Sequence, residues 1–263
     1  MEVCFVNPGA DLMLRHIMGF LGEDMPPFWT EPLYRFYPQL DRGHAQSLPF
    51  AEKRAYIERV LRAVYAGQEA AIEEKAALYA AHWAKYRGQI TQALSEAFAV
   101  DCGELFNDLR CNVSLGPIEP RFLREHCFDI FYLNSERGAI GEAIHEIIHF
   151  VWFYVWNQTF GDSYDEYESP SLKWILSEMV VESVMRDPRL SSINPYFPRE
   201  NGGCIYPYFF DMQIGGAPVL DTLDEMYRSQ SIRDFMKNSY AYCLAHEEEI
   251  RAHIALSEQG AGE

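Results

Sequence analysis

One stretch narrows the possible folds of this chain more than any other. Ala139 to Trp156 is apolar at nearly every position, yet it carries His145, Glu146 and His149. Ile140, Ile144, Ile147, Ile148, Val151, Phe153 and Val155 leave no helical face suited to water, so a helix here belongs in a core. Asn134 or Ser135 is placed to cap it. Two imidazoles and a carboxylate in that setting need partners, because a buried polar group left unsatisfied is costly.

Residues four apart project from nearly the same face of a helix. His145 and His149 can therefore offer nitrogens to one metal ion at the roughly 2.0–2.1 Å of a Zn–N bond. Glu146, rotated about 100° from its neighbour, is poorly aimed to ligate alongside them. It can instead reach a water at an open metal position and accept its proton, the role of general base. The spacing predicts one Zn2+ per chain, although two histidines and a carboxylate also suit iron or manganese.

A catalytic zinc takes a third protein ligand and keeps a position for water. The carboxylates Asp162, Asp165, Glu166, Glu168, Glu178 and Glu182 follow the two histidines, and His82, His126, His246 and His253 lie elsewhere. Glu178 fits best, because Trp174, Ile175, Leu176, Met179, Val180 and Val181 surround it with apolar residues, and a lone carboxylate there would be buried unpaired. Glu182, one turn later, is placed to accept the outer N–H of a metal-bound histidine and fix its tautomer. Glu142, one turn before His145, is either a neighbour of the site or a solvated first-turn glutamate. The loop carboxylates Asp162 to Glu168 read as surface charge.

The remaining elements follow from local pattern. Residues 1–50 are rich in Pro and aromatics and predict ordered coil with short helices. From Ala51 to about Ala99 apolar residues recur at helical spacing, and Gly67 and Gly88 predict breaks that leave two or three helices. CNVSL and FDIFYL predict two strands of a small sheet. Ser169-Pro170 predicts an N-cap and first helical residue for the helix that carries Glu178, which stops before Pro188. Residues 188–219 predict a long irregular loop, followed by helices from about Leu220 to Leu256 and a frayed tail.

Composition sets outer limits. A net charge of -17 with no basic run excludes recognition of a phosphate backbone, so no nucleic-acid partner is expected and a neutral or cationic substrate fits better. Solvated helix faces explain much of that charge equally well. With 48% hydrophobic residues and no uninterrupted apolar run of spanning length, the sequence predicts a soluble protein with no membrane partner. Six scattered cysteines without a CxxC pair predict reduced thiols. The first residues lack a basic segment followed by an apolar one, which predicts a cytoplasmic protein. At 263 residues, one compact unit is expected, with residues 1–100 as a helical region packed on a metal-binding region over 101–263.

The segment AIHEIIHF, followed by Trp174-Ile-Leu-Ser-Glu178, resembles the gluzincin group of metallopeptidases, the thermolysin-like and aminopeptidase-like enzymes. There, HExxH is followed by a second helix whose glutamate is the third ligand. The resemblance covers about 50 residues, from FDIFYLN to Glu182. It implies a mostly helical α+β fold with a zincin-like core, in which His145, His149 and Glu178 hold zinc, Glu146 is the base and Glu182 supports a ligand. It also implies a peptide or protein substrate pairing along FDIFYL as a sheet edge. Ser177 and Met179 depart from the Asn and Gly common beside the third ligand. The oxyanion donor of such enzymes has no distinct counterpart, and Tyr206 and Tyr208 in GGCIYPYFF are the candidates. Two alternatives to peptide hydrolysis stay open: a zinc hydrolase acting on a non-peptide substrate, and a non-catalytic metal-binding or interaction protein.

Overall fold

The computed structural model describes residues 1–23, 29–194, 199 and 203–260. Pro26, Pro27, Phe28, Pro195, Pro198 and Gly202, read above as parts of irregular segments, lie outside the described residues, as does the end of the tail. In chain order the elements begin with β1 (Val3–Val6), α1 (Ala10–Gly19), α2 (Glu31–Phe36), α3 (Arg42–Ser47), α4 (Phe50–Phe98) and α5 (Cys102–Leu105). β2 (Leu109–Ser114), β3 (Arg121–Phe122), β4 (Cys127–Phe131), α6 (Glu136–Phe160), α7 (Leu172–Met185) and α8 (Pro188–Ser191) follow. The chain closes with β5 (Gln213–Ile214), β6 (Ala217–Pro218), α9 (Val219–Ser229), α10 (Ile232–Ala245) and α11 (Glu247–Gly260). This is a mostly helical α+β protein with a small mixed sheet. Among the described residues no helix is long and apolar enough to cross a membrane.

By its contacts the chain divides into two compact units. One holds Val3–Ala84 and Asp108–Glu142; the other holds Met1–Glu2, Lys85–Asn107 and Ala143–Gly260. The first contains the four-stranded sheet, ordered β1-β2-β4-β3, with β1, β2 and β4 parallel and β3 antiparallel to β4. All five residues of β4 are buried, which suits the near-continuous apolar reading of a covered parallel strand. Among them is Asp129, which takes His16 Nδ1 at 2.9 and 3.0 Å and Asn112 Nδ2 at 2.8 Å, so its charge is buried with partners. The Tyr79 hydroxyl donates to the carbonyls that leave the sheet, at Tyr132 and Asn134, at 3.0 and 2.7 Å.

Three expectations from sequence change here. The Gly67 and Gly88 breaks do not occur: α4 runs 49 residues without interruption. Each helical glycine costs about 1 kcal/mol relative to alanine, and the buried side chains of Ile57, Leu61, Ile72, Tyr79, Trp83, Ile90 and Leu94 outweigh that. A strand at Val3–Val6 joins the sheet from the segment expected to be coil and short helix. FDIFYL is no free edge: β2 pairs on one side of β4, while on the other β3 pairs with Cys127 and Phe128, the Asp129 amide donates to the Pro120 carbonyl, and the Phe131 amide donates to Glu119. With those backbone groups engaged, a peptide has no row of open partners to pair with.

The second unit is built on helices. α7 is buried at every residue except Lys173, and it is capped by Ser171, whose Oγ accepts from the Trp174 amide at 3.0 Å. The cap thus falls two residues beyond the expected Ser169. Trp152 of α6 packs edge-on against Phe235 of α10, and Trp156 against Tyr240, at 5.8 and 5.0 Å between ring centroids. The described residues of the 188–219 segment hold more regular structure than expected, with α8, a 3-10 turn at Pro207–Phe209 and the hairpin of β5 and β6.

Candidate metal centre

α6 is capped where the sequence indicated, since Ser135 Oγ accepts the Gly138 amide at 3.0 Å. Four residues apart on its buried length, His145 and His149 turn their rings toward each other, with centroids 5.0 Å apart. From α7, the Glu178 carboxylate meets both: Oε2 lies 3.6 Å from His145 Nε2 and Oε1 lies 3.5 Å from His149 Nε2. One ligand atom from each of the three residues falls within 4.8 Å of the others, and all three residues are buried. Three ligands at roughly 2.0–2.1 Å from one tetrahedral ion would stand about 3.3 Å apart. The two imidazole–carboxylate separations are close to that and too long for direct hydrogen bonds.

The tautomer of His145 sharpens the case for an ion. Its Nδ1 lies 2.9 Å from the Cys204 carbonyl oxygen, which can only accept, so Nδ1 carries the proton when the ring is neutral. Nε2 then turns a lone pair toward a carboxylate oxygen. Two lone pairs facing one another in a buried site are reconciled by a metal ion or by a proton between them. This buried His-His-Glu group could hold a metal ion.

Glu146 is buried beside the group, its Oε1 3.9 Å from His145 Nε2. Glu182 is held by a fork from Arg199, with Nε and Nη2 donating to its two oxygens at 2.7 and 3.0 Å, while Arg199 Nη1 reaches Asp221 at 2.9 Å. The carbonyl of Cys204, and not this carboxylate, meets the outer nitrogen of His145. Glu142 lies against Glu119, and burial followed by that neighbouring charge raises its pKa well above the ordinary carboxylate range.

Five of the other candidate ligands are engaged elsewhere. Lys173 Nζ draws in Asp162 and Glu166 at 2.6 and 2.5 Å. His126 pairs with Asp108, His246 with Glu249, and His253 with the Tyr208 carbonyl. Tyr206 stacks on Tyr208 with centroids 5.3 Å apart and meets Trp174 edge-on at 5.7 Å. Burial, and then the negative charges of Glu178 and Glu258, push the Tyr208 phenol far above its ordinary pKa, so it stays protonated near the Glu178 carboxylate.

Sequence reasoning missed two participants: Arg199, and the backbone carbonyl of Cys204. A carbonyl has no residue signature. The neighbouring Gly203 was the available signal, since it adopts φ +63° where other residues are disfavoured. No family model matches this chain, and neither a curated protein nor a solved structure matches it significantly.

Proposed function

We propose that this chain is a zinc-dependent metallopeptidase with a zincin-like, gluzincin-type centre, in which His145, His149 and Glu178 are the ligands and Glu146 is the general base. The observation that carries the reading is the convergence of two imidazole nitrogens and one carboxylate in a buried group, with the Glu146 carboxylate beside it. A divalent ion held there supplies Lewis acidity toward a carbonyl and makes nearby water more acidic. The protein does the rest. Glu146 takes a proton from water and returns it to the leaving amine nitrogen. The Cys204 carbonyl keeps His145 in the tautomer that presents Nε2. Tyr208, kept neutral by its surroundings, is a candidate donor to the developing oxyanion, with Tyr206 stacked on it as the alternative.

The test uses protein purified without chelator and supplied with zinc. Elemental analysis is expected to find one equivalent of metal per chain, and a peptide panel is expected to contain substrates whose cleavage a chelator stops and zinc restores. Absence of stoichiometric metal overturns the reading. Turnover confined to non-peptide amides or esters assigns a different hydrolase, and tight metal binding without any turnover assigns a non-catalytic metal protein.

A further inference from the structure

We infer that Gly203 is a positioning residue of the metal centre: it lets Phe210 close over the backbone beside Cys204, whose carbonyl then holds His145 for ligation. The inference rests on the metal-site reading above. Three observations meet at this point. Gly203 has φ +63°, a region where a side chain is strained. A Cβ placed on it would stand 2.8 and 3.0 Å from Cε1 and Cε2 of the Phe210 ring, and nearer still to Cζ, so the ring occupies the space that any other residue needs. The next residue supplies the acceptor 2.9 Å from His145 Nδ1.

The physical link is short. Phe210 follows the Pro207–Phe209 turn, its amide donating to the Pro207 carbonyl at 3.1 Å, so its backbone is held while its half-buried ring is the part that can swing. A methyl group at position 203 pushes on the ring, and the strain of a side chain at φ +63° falls on the Gly203–Cys204 backbone. Movement of that backbone removes the acceptor that keeps the proton of His145 on Nδ1. With that proton free to sit on Nε2, one of the three ligand atoms is blocked for part of the population. The same geometry accounts for a glycine where the sequence places two in succession.

The experiment measures the zinc dissociation constant of the full chain by competition with a chromophoric chelator, alongside melting in excess chelator. Gly203→Ala is expected to weaken zinc binding on the order of 10- to 100-fold, the range found when outer contacts of metal ligands are lost. Adding Phe210→Ala, which removes the clash, is expected to recover part of that loss, a rescue that general destabilisation would not produce. A zinc affinity of Gly203→Ala equal to that of the unaltered protein overturns the inference, as does failure of the double substitution to improve on the single one. If Gly203→Ala does not fold, the double variant and the 15N spectrum of His145 in the unaltered, metal-free protein decide instead. A neutral His145 bearing its proton on Nε2 overturns the inference. Absence of zinc binding by the unaltered protein fails the metal reading itself, and this inference with it.

Discussion

Glu146→Gln is expected to lower kcat on the order of 10²- to 10⁴-fold, the usual contribution of a positioned general base, while the protein keeps its full equivalent of metal. The two outcomes separate because of where Glu146 sits. It follows His145 on α6 and is rotated about 100° from it, and the three ligand atoms that converge belong to His145, His149 and Glu178. Glutamine preserves the volume of this buried side chain and removes the proton acceptor. Steady-state kinetics on a substrate found in the peptide panel, paired with elemental analysis of the same preparation, reads both quantities. Turnover equal to that of the unaltered protein refutes the assignment of the base. Loss of metal together with loss of turnover makes Glu146 a ligand instead.

His149→Ala is expected to abolish stoichiometric metal binding. A structural zinc site of four ligands supplies about 10–16 kcal/mol, so one ligand's share is about 3–4 kcal/mol, a loss of affinity of roughly 10²- to 10³-fold. His149 is fully buried, so its truncation leaves a gap in the core beside the remaining ligands. The linked observable is thermal stability. A ligand at a thousand times its dissociation constant stabilises the native state by about 4.1 kcal/mol, so melting of the unaltered protein is expected to fall when chelator is added. The same addition should leave His149→Ala unchanged. A variant whose melting still responds to chelator, or that still carries one metal, places the ion somewhere other than between α6 and α7.

Much of this centre was legible because it obeys helical spacing. His145 and His149 share a face by periodicity alone, and Glu178 was singled out because its neighbours are apolar, which agrees with an α7 buried everywhere but at Lys173. The reading weakened where contacts cross between distant segments. Glu182 sits where expected, one turn after Glu178, but its partner Arg199 lies in a stretch without pattern. The acceptor for His145 is a backbone atom, to which the identity of residue 204 contributes nothing. In the fold, Cys111 to Ser114 and Phe128 to Phe131 showed as strands by their apolar runs, whereas Val3–Val6 offers four residues whose strand character depends on pairing with Leu109–Asn112. Gly67 and Gly88 misled because local propensity was set against burial along 49 residues, and burial won.

The enclosure of these side chains also governs exchange. Exposure is 9% at His145, 4% at Glu178 and nil at His149, so an ion held by them would meet solvent only through a narrow opening on the His145 side. Departure then waits on a local opening of the protein. Its rate would level off as scavenger concentration rises, and the time for which a molecule stays loaded would be set by the breathing of α7 against the buried stretch of α6.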